Sequence, residues 1–225
     1  MKNIIYTIKV KIIRYLANNH ELRSVKKAFF LFFTLGLLSS MAQEKQLREP
    51  DVPYEPSPQK IVEAMLKLAN VHKRDIIYDL GCGDGRIVIT AAKQFGASGV
   101  GIDIDPKRIK ESLQNAHRAG VTDRIIFRNE DLFEADIHEA TVVTLFLWQK
   151  VNLKLRPKLL KELKIGTRIV SYCWDMGDWK PDRRIELDNN PIYVWTITPN
   201  ITLQRKYELV ARTLSKLFLL DGYSQ

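Results

Sequence analysis

Ile76-Ile77-Tyr78-Asp79-Leu80-Gly81-Cys82-Gly83-Asp84-Gly85-Arg86-Ile87 is the stretch on which the reading of this chain turns. The short apolar run up to Leu80 reads as a buried strand, and it ends in three glycines at alternate positions. Such a loop can adopt positive φ and lie close to a ligand. Ile87 to Phe95 follows with helical spacing, and Gly96 closes it. Strand, glycine loop and helix open a βαβ unit, and the pattern continues downstream. Gly99–Asp103 reads as a second strand, Pro106–Ala119 as a helix closed by Gly120, and Ile125–Phe127 as a third strand. Val142–Leu147 is a fourth strand. Val151–Leu163 is a helix that Pro157 breaks or restarts, and Thr167–Ser171 is a fifth strand. Strands alternating with helices predict a parallel sheet covered on both faces. Arg184–Leu187 and Tyr193–Thr198 flank Asn189-Asn190-Pro191 and predict a closing antiparallel hairpin at one edge. The expected fold is therefore α/β: a Rossmann-like, seven-stranded, mostly parallel sheet with a terminal hairpin.

The 225 residues divide into four parts. Residues 1–42 hold seven Lys or Arg against one acid, whereas the remainder holds 28 basic and 25 acidic residues. The net charge of +9 thus belongs mainly to the N-terminal segment, and the folded part lacks the basic load of a nucleic-acid binder. Within that segment, residues 28–38 form an uncharged apolar run of eleven after Lys26-Lys27 and before Ser39-Ser40-Met41-Ala42. The layout is that of an export signal, and the run is short of the roughly 20 residues a membrane-spanning helix needs. Residues 4–16 can also lie as a basic helix on an anionic membrane. Translation starting at Met41 would remove the segment and leave a cytoplasmic protein. Residues 43–50 read as a linker, 51–198 as the folded domain and 199–225 as a C-terminal extension with helical spacing. In the lead-in Asp51-Val-Pro-Tyr-Glu-Pro-Ser-Pro58, Ser57 can cap a helix whose first turn suits Pro58. Two cysteines, Cys82 and Cys173, make no disulfide framework, and no Cys/His spacing suggests a metal.

The glycine loop lies where open parallel sheets bind ligands, beyond the strand C-terminal ends. Gly81, Gly83 and Gly85 give G-x-G-x-G, not the G-x-G-x-x-G of dinucleotide sites. Asp79 ends the strand and Asp84 stands at the helix start, where a pyrophosphate would be repelled. S-adenosyl-L-methionine has no phosphate, and its ammonium and sulfonium suit carboxylates. Asp103, at the end of the second strand, is placed to accept ribose hydroxyls. A turn acid ahead of Pro106 is its plainer reading. Asp131 can accept the adenine amino group with Leu132 against the ring, and equally can cap a short helix.

With these residues in hand, the chain resembles class I adenosylmethionine-dependent methyltransferases over about 51–198. It looks most like small archaeal and bacterial protein-lysine methyltransferases and their mitochondrial relatives. The resemblance is carried by Asp51–Pro58, Tyr78–Ile89, Ala140–Leu147, Val151–Leu159 and Glu162–Ser171. It implies that Tyr54 and its prolines fold over the cofactor, and that Thr144 and Asn152 line the acceptor pocket. Trp148-Gln149 and the tail after Thr198 depart from the family pattern. Tyr54, Thr144, Trp148 and Asn152 are the expected acceptor-orienting residues, with plain packing the alternative for Trp148. The expected partner is a protein lysine. A small-molecule or RNA acceptor, an NAD-dependent oxidoreductase and a non-catalytic membrane-tethered module are the competing readings.

Overall fold

The computed structural model describes residues 47–199, all within the second of the two units into which the chain divides, Leu47–Gln225. The N-terminal segment and the C-terminal extension lie outside the described residues. Among those described, no helix is long and apolar enough to cross a membrane.

The elements run α1 (Gln59–Leu68), β1 (Ile76–Leu80), α2 (Arg86–Phe95), β2 (Ser98–Asp103), α3 (Pro106–Ala119), β3 (Ile125–Asn129), β4 (Val142–Leu145), α4 (Gln149–Glu162), β5 (Arg168–Tyr172), β6 (Arg183–Leu187) and β7 (Asn190–Thr196). They build one seven-stranded sheet in the order β3-β2-β1-β4-β5-β7-β6. The first five strands pair in parallel, and β7 and β6 close the β5 edge antiparallel. This is the expected mostly parallel sheet with a terminal hairpin, although the turn is Asp188-Asn189, both at positive φ, so β7 starts at Asn190 and not at Tyr193.

Successive residues of each central strand feed opposite faces, as the period of two requires. Ile77, Val142 and Val170 join the core under α1, α2 and α3. Tyr78, Leu80, Val143, Leu145 and Ile169 join the core under α4. The glycines expected to end α2 and α3 do so in the left-handed region, Gly96 at φ 69° and Gly120 at φ 69°.

Several boundaries differ from expectation. Pro157 lies inside an unbroken α4. It is exposed, as is Leu153 one turn earlier, so the carbonyl that loses its partner faces water. The fourth strand stops at Leu145 because β1, its partner, ends at Leu80. Ser57 caps nothing: Pro58 is the N-cap of α1, and the buried Ser57 offers its carbonyl to Arg86 Nη1 at 2.8 Å.

The end of the sheet opposite the glycine loop is tied by Asp75, just before β1. Its carboxylate accepts the His72 N–H at 2.8 Å and the Thr141 hydroxyl at 2.7 Å, and it pairs with the Arg168 guanidinium. Asp75 is only 3% exposed, so these bonds replace its hydration. The starts of β1, β4 and β5 are thereby held in register, leaving their far ends to form the site. Asp75→Ala, which strands the Arg168 charge, is expected to lower unfolding free energy by about 3 kcal/mol in a chemical denaturation experiment.

Candidate active site

The chain runs β1 to β3 in one direction across the sheet and returns to place β4 on the other side of β1. At this switch point the loop 81–85 opens a cavity of about 330 Å³. Gly81, Gly83 and Gly85 have φ of 82°, 53° and 80°, a region that L side chains rarely adopt. The Gly81 and Cys82 N–H groups donate to the Ile102 carbonyl at 2.8 and 2.9 Å, fixing the loop to the end of β2. A Cβ on Gly83 would strike the ring of Tyr54, which lies over the loop. Arg108 stacks on that ring at 4.5 Å. The lead-in thus crosses above the cavity, as the resemblance implied.

Asp79 ends β1 and is 2% exposed. Its one described hydrogen bond comes from the Thr144 hydroxyl at 2.6 Å, across the register pair Asp79↔Thr144. Burial, opposed by this bond and helped by the nearby Asp103 and Asp84 charges, pushes Asp79 up to about 7. The displacement corresponds to about 4 kcal/mol against ionisation. No described cation offsets the Asp79 charge. Asp103 accepts the Gly83 N–H at 2.8 Å and the Asp105 N–H at 2.9 Å, so it braces the loop and also faces the cavity. Burial raises it too, against those two bonds.

Asp84 and Asp131, in contrast, are already compensated. Asp84, expected to attract a cationic ligand, is gripped by Arg86, with Nε at 2.9 Å and Nη2 at 2.6 Å. Although burial opposes it, that ion pair holds Asp84 below the usual carboxylate range. The sequence contained the signal, Asp84-x-Arg86, but not the geometry. Asp131 accepts the Phe133 N–H at 3.0 Å within a turn, not at the start of a helix as its capping alternative had it, and is held by Arg48 Nε at 2.5 Å and Nη2 at 3.0 Å. Arg48 falls in the expected linker and was not foreseen as a wall of the site. Leu132 lines the same cavity.

Two expected acceptor-pocket residues do not reach a cavity wall. Thr144 is fully buried beneath Asp79. Asn152 is fully buried in α4, and its amide donates to the Ser171 hydroxyl at 3.1 Å and to the Trp174 carbonyl at 3.1 Å. Both therefore act through neighbours. Trp148, in contrast, is 52% exposed at the start of α4 and does not serve as packing.

A deep carboxylate without a counter-ion, under a loop whose backbone approaches closely, fits a cationic ligand free of phosphate. That fold and site define a class I adenosylmethionine-dependent methyltransferase. Residues 79–183 match the family described as the ANTKMT methyltransferase domain. The chain is 49% identical over 153 residues to a protein-lysine N-methyltransferase of Saccharolobus islandicus, covering 66% of this chain and 95% of that one. It is 31% identical over 130 residues to the mouse adenine nucleotide translocase lysine N-methyltransferase, covering 58% of this chain and 56% of that one. A crystal structure of an RNA methyltransferase from Salinibacter ruber with S-adenosyl-L-homocysteine superposes with a TM-score of 0.64 at 54% identity, covering 64% of this chain and 95% of that one. The chain belongs to the family of small protein-lysine N-methyltransferases. It is an enzyme, and its cofactor is S-adenosylmethionine.

Asp79 makes the site pH-dependent. Its folded-state value of about 7 lies above the ordinary 3.8, so the folded protein without cofactor retains this proton between about pH 4 and 7. Its contribution to stability is present at low pH and is lost as pH rises through 7. A cation at Asp79 reverses the preference. Adenosylmethionine affinity measured by calorimetry is therefore expected to rise about eightfold from pH 6.0 to 7.5, and Asp79→Asn is expected to flatten that profile.

Proposed function

We propose that this enzyme transfers methyl groups to lysine side-chain amines of a protein acceptor. The observation that carries the reading is the 49% identity to a protein-lysine N-methyltransferase across nearly all of that relative. Electrostatics supports it against an RNA acceptor. The guanidiniums at the cofactor cavity, Arg48, Arg86 and Arg108, are each paired with carboxylates, while Glu55 and Asp79 at the same cavity have no cation. Such a mouth repels phosphates and attracts ammonium groups.

The cofactor supplies a methyl group activated by the sulfonium. In the transfer, the neutral lysine nitrogen forms the new N–C bond as the S–C bond breaks, sulfur keeps the electron pair, and the surplus proton leaves the amine for water. In this reading Asp79, Asp103 and the loop Gly81, Gly83 and Gly85 hold the donor, with Leu132 and Asp131 at the far side of the cavity. Arg86 keeps the Asp84 charge tied to the loop. Tyr54 covers Gly83 and excludes water, which sustains the alignment that displacement requires. Thr144 sets the Asp79 carboxylate, and Asn152 sets the turn after β5. No residue needs to serve as an obligatory base, because the amine can lose its proton to solvent before transfer.

The basic, apolar segment 1–42 is read as an attachment of this domain to a membrane, facing the compartment that makes adenosylmethionine. N-terminal sequencing of membrane-bound native protein tests this: an intact end supports attachment, and an end at Gln43 contradicts it by showing cleavage.

Incubation with methyl-labelled adenosylmethionine and heat-denatured cell extract is expected to put label into protein. Acid hydrolysis should then recover it as methylated lysine. Label confined to RNA, and lost on ribonuclease treatment, would overturn the lysine reading.

A further inference from the structure

A second cavity, of about 250 Å³, adjoins the first. Glu55 and Phe146 stand on the walls of both. Trp148, Tyr172 and Trp174 also line the second, with Cys173 between the last two. The rings of Phe146 and Tyr172 lie 4.7 Å apart, so the partition between the cavities is itself aromatic. Trp148 is 52% exposed and Trp174 39%. Two tryptophans standing in solvent on one cavity are a cost to a soluble domain unless something covers them.

The backbone beneath Trp174 is held in an uncommon form. Cys173 has φ 65°, and the Trp174 N–H donates back to the Tyr172 carbonyl at 2.9 Å. This is the rarer, strained γ-turn. It persists because its surroundings hold it: the Trp174 carbonyl accepts the Ser171 hydroxyl at 2.6 Å and the Asn152 amide at 3.1 Å. Backbone strain held in place by such part-buried hydrogen bonds beside a cavity is a pointer to function. Glu55 makes no hydrogen bond or ion pair with a described residue, leaving a carboxylate open at the junction. Burial, with the Glu55 charge as a lesser cause, raises the Cys173 thiol, so it stays protonated.

We propose that this second cavity is the entry through which the acceptor lysine reaches the methyl donor. Trp148 and Trp174 are its aromatic walls, and Glu55 is the carboxylate that draws the ammonium in. The proposal rests on the lysine reading above and adds the route and the residues that select for it. An aromatic channel with one open carboxylate matches an alkylammonium stem. It retains affinity after each methylation, because a methylated ammonium still binds ring faces. A channel of this kind therefore suits addition of more than one methyl group to the same lysine.

The test compares wild type with Trp148→Ala, Trp174→Ala, Trp174→Phe and Glu55→Gln. The acceptor is poly-L-lysine, methyllysine is counted after hydrolysis, and adenosylmethionine affinity is titrated separately. Each Trp→Ala variant is expected to lose roughly tenfold in kcat/KM for poly-L-lysine while keeping its adenosylmethionine Kd within about twofold. Trp174→Phe should recover much of the loss, and Glu55→Gln should raise KM more than it lowers kcat. The cation n-butyltrimethylammonium, which mimics a trimethylated lysine side chain, should inhibit competitively against poly-L-lysine. Full kcat/KM in both Trp→Ala variants with unaltered cofactor affinity would overturn the channel and leave the lysine reading standing. Wild-type enzyme that methylates RNA and no lysine would overturn both. The substituted residues are exposed, and a variant that loses cofactor affinity by misfolding is replaced in the comparison by the isosteric Glu55→Gln, whose unchanged KM would count against the channel.

Discussion

The site depends on one electrostatic constraint: a carboxylate, Asp79, is carried on a central strand into the interior with a single hydroxyl for company. The sheet makes this placement obligatory. Asp79 belongs to the same face of β1 as Ile77, and its register partner on β4 is Thr144. A charge in that position costs several kcal/mol unless it is neutralised, and the protein neutralises it with a proton near pH 7. A cationic cofactor is the alternative neutraliser. Cofactor binding and the protonation of the core are thus two states of one equilibrium.

The remaining parts of the domain keep that carboxylate available. The Asp75 network ties the starts of β1, β4 and β5, the end of the sheet opposite the loop. Asp103 braces the loop through the Gly83 N–H. Arg86 and Arg48 absorb the charges of Asp84 and Asp131, which would otherwise compete for the same ligand cation. The contrast between Asp79 and its acidic neighbours is what gives the cavity its polarity: several carboxylates surround it, and the deepest has no partner cation.

Local features were the legible ones in the sequence. The strand Ile76–Leu80, the alternate glycines and the helix ends at Gly96 and Gly120 follow from residue type within a few positions, whereas the edge hairpin was legible in outline only, since its turn is Asp188-Asn189 and Asn190-Pro191 belong to β7. Asp79 and Asp103 were legible because a strand end has only one direction in a parallel sheet. What escaped was long-range pairing. Arg48 meets Asp131 across 83 residues and sat within an apparent linker. Thr144 and Asn152 fall at positions the family resemblance assigns to the acceptor, yet β4 turns the first toward Asp79 and α4 turns the second toward the Trp174 carbonyl. A family pattern preserves position, whereas the direction of a side chain depends on the phase of its element. The aromatic cavity beyond Phe146 escaped for the same reason, since Trp148 and Trp174 come together only when α4 and the turn after β5 are packed.

The carboxyl carbon of Asp79, followed by NMR through a pH titration with and without adenosylmethionine, tests the coupling of cofactor to buried charge most directly. The expected midpoint is near 7 in the free protein, with a fall of at least about two pH units when the cofactor binds. A midpoint near that of an ordinary aspartate in the free protein, or one that adenosylmethionine leaves in place, would contradict that coupling.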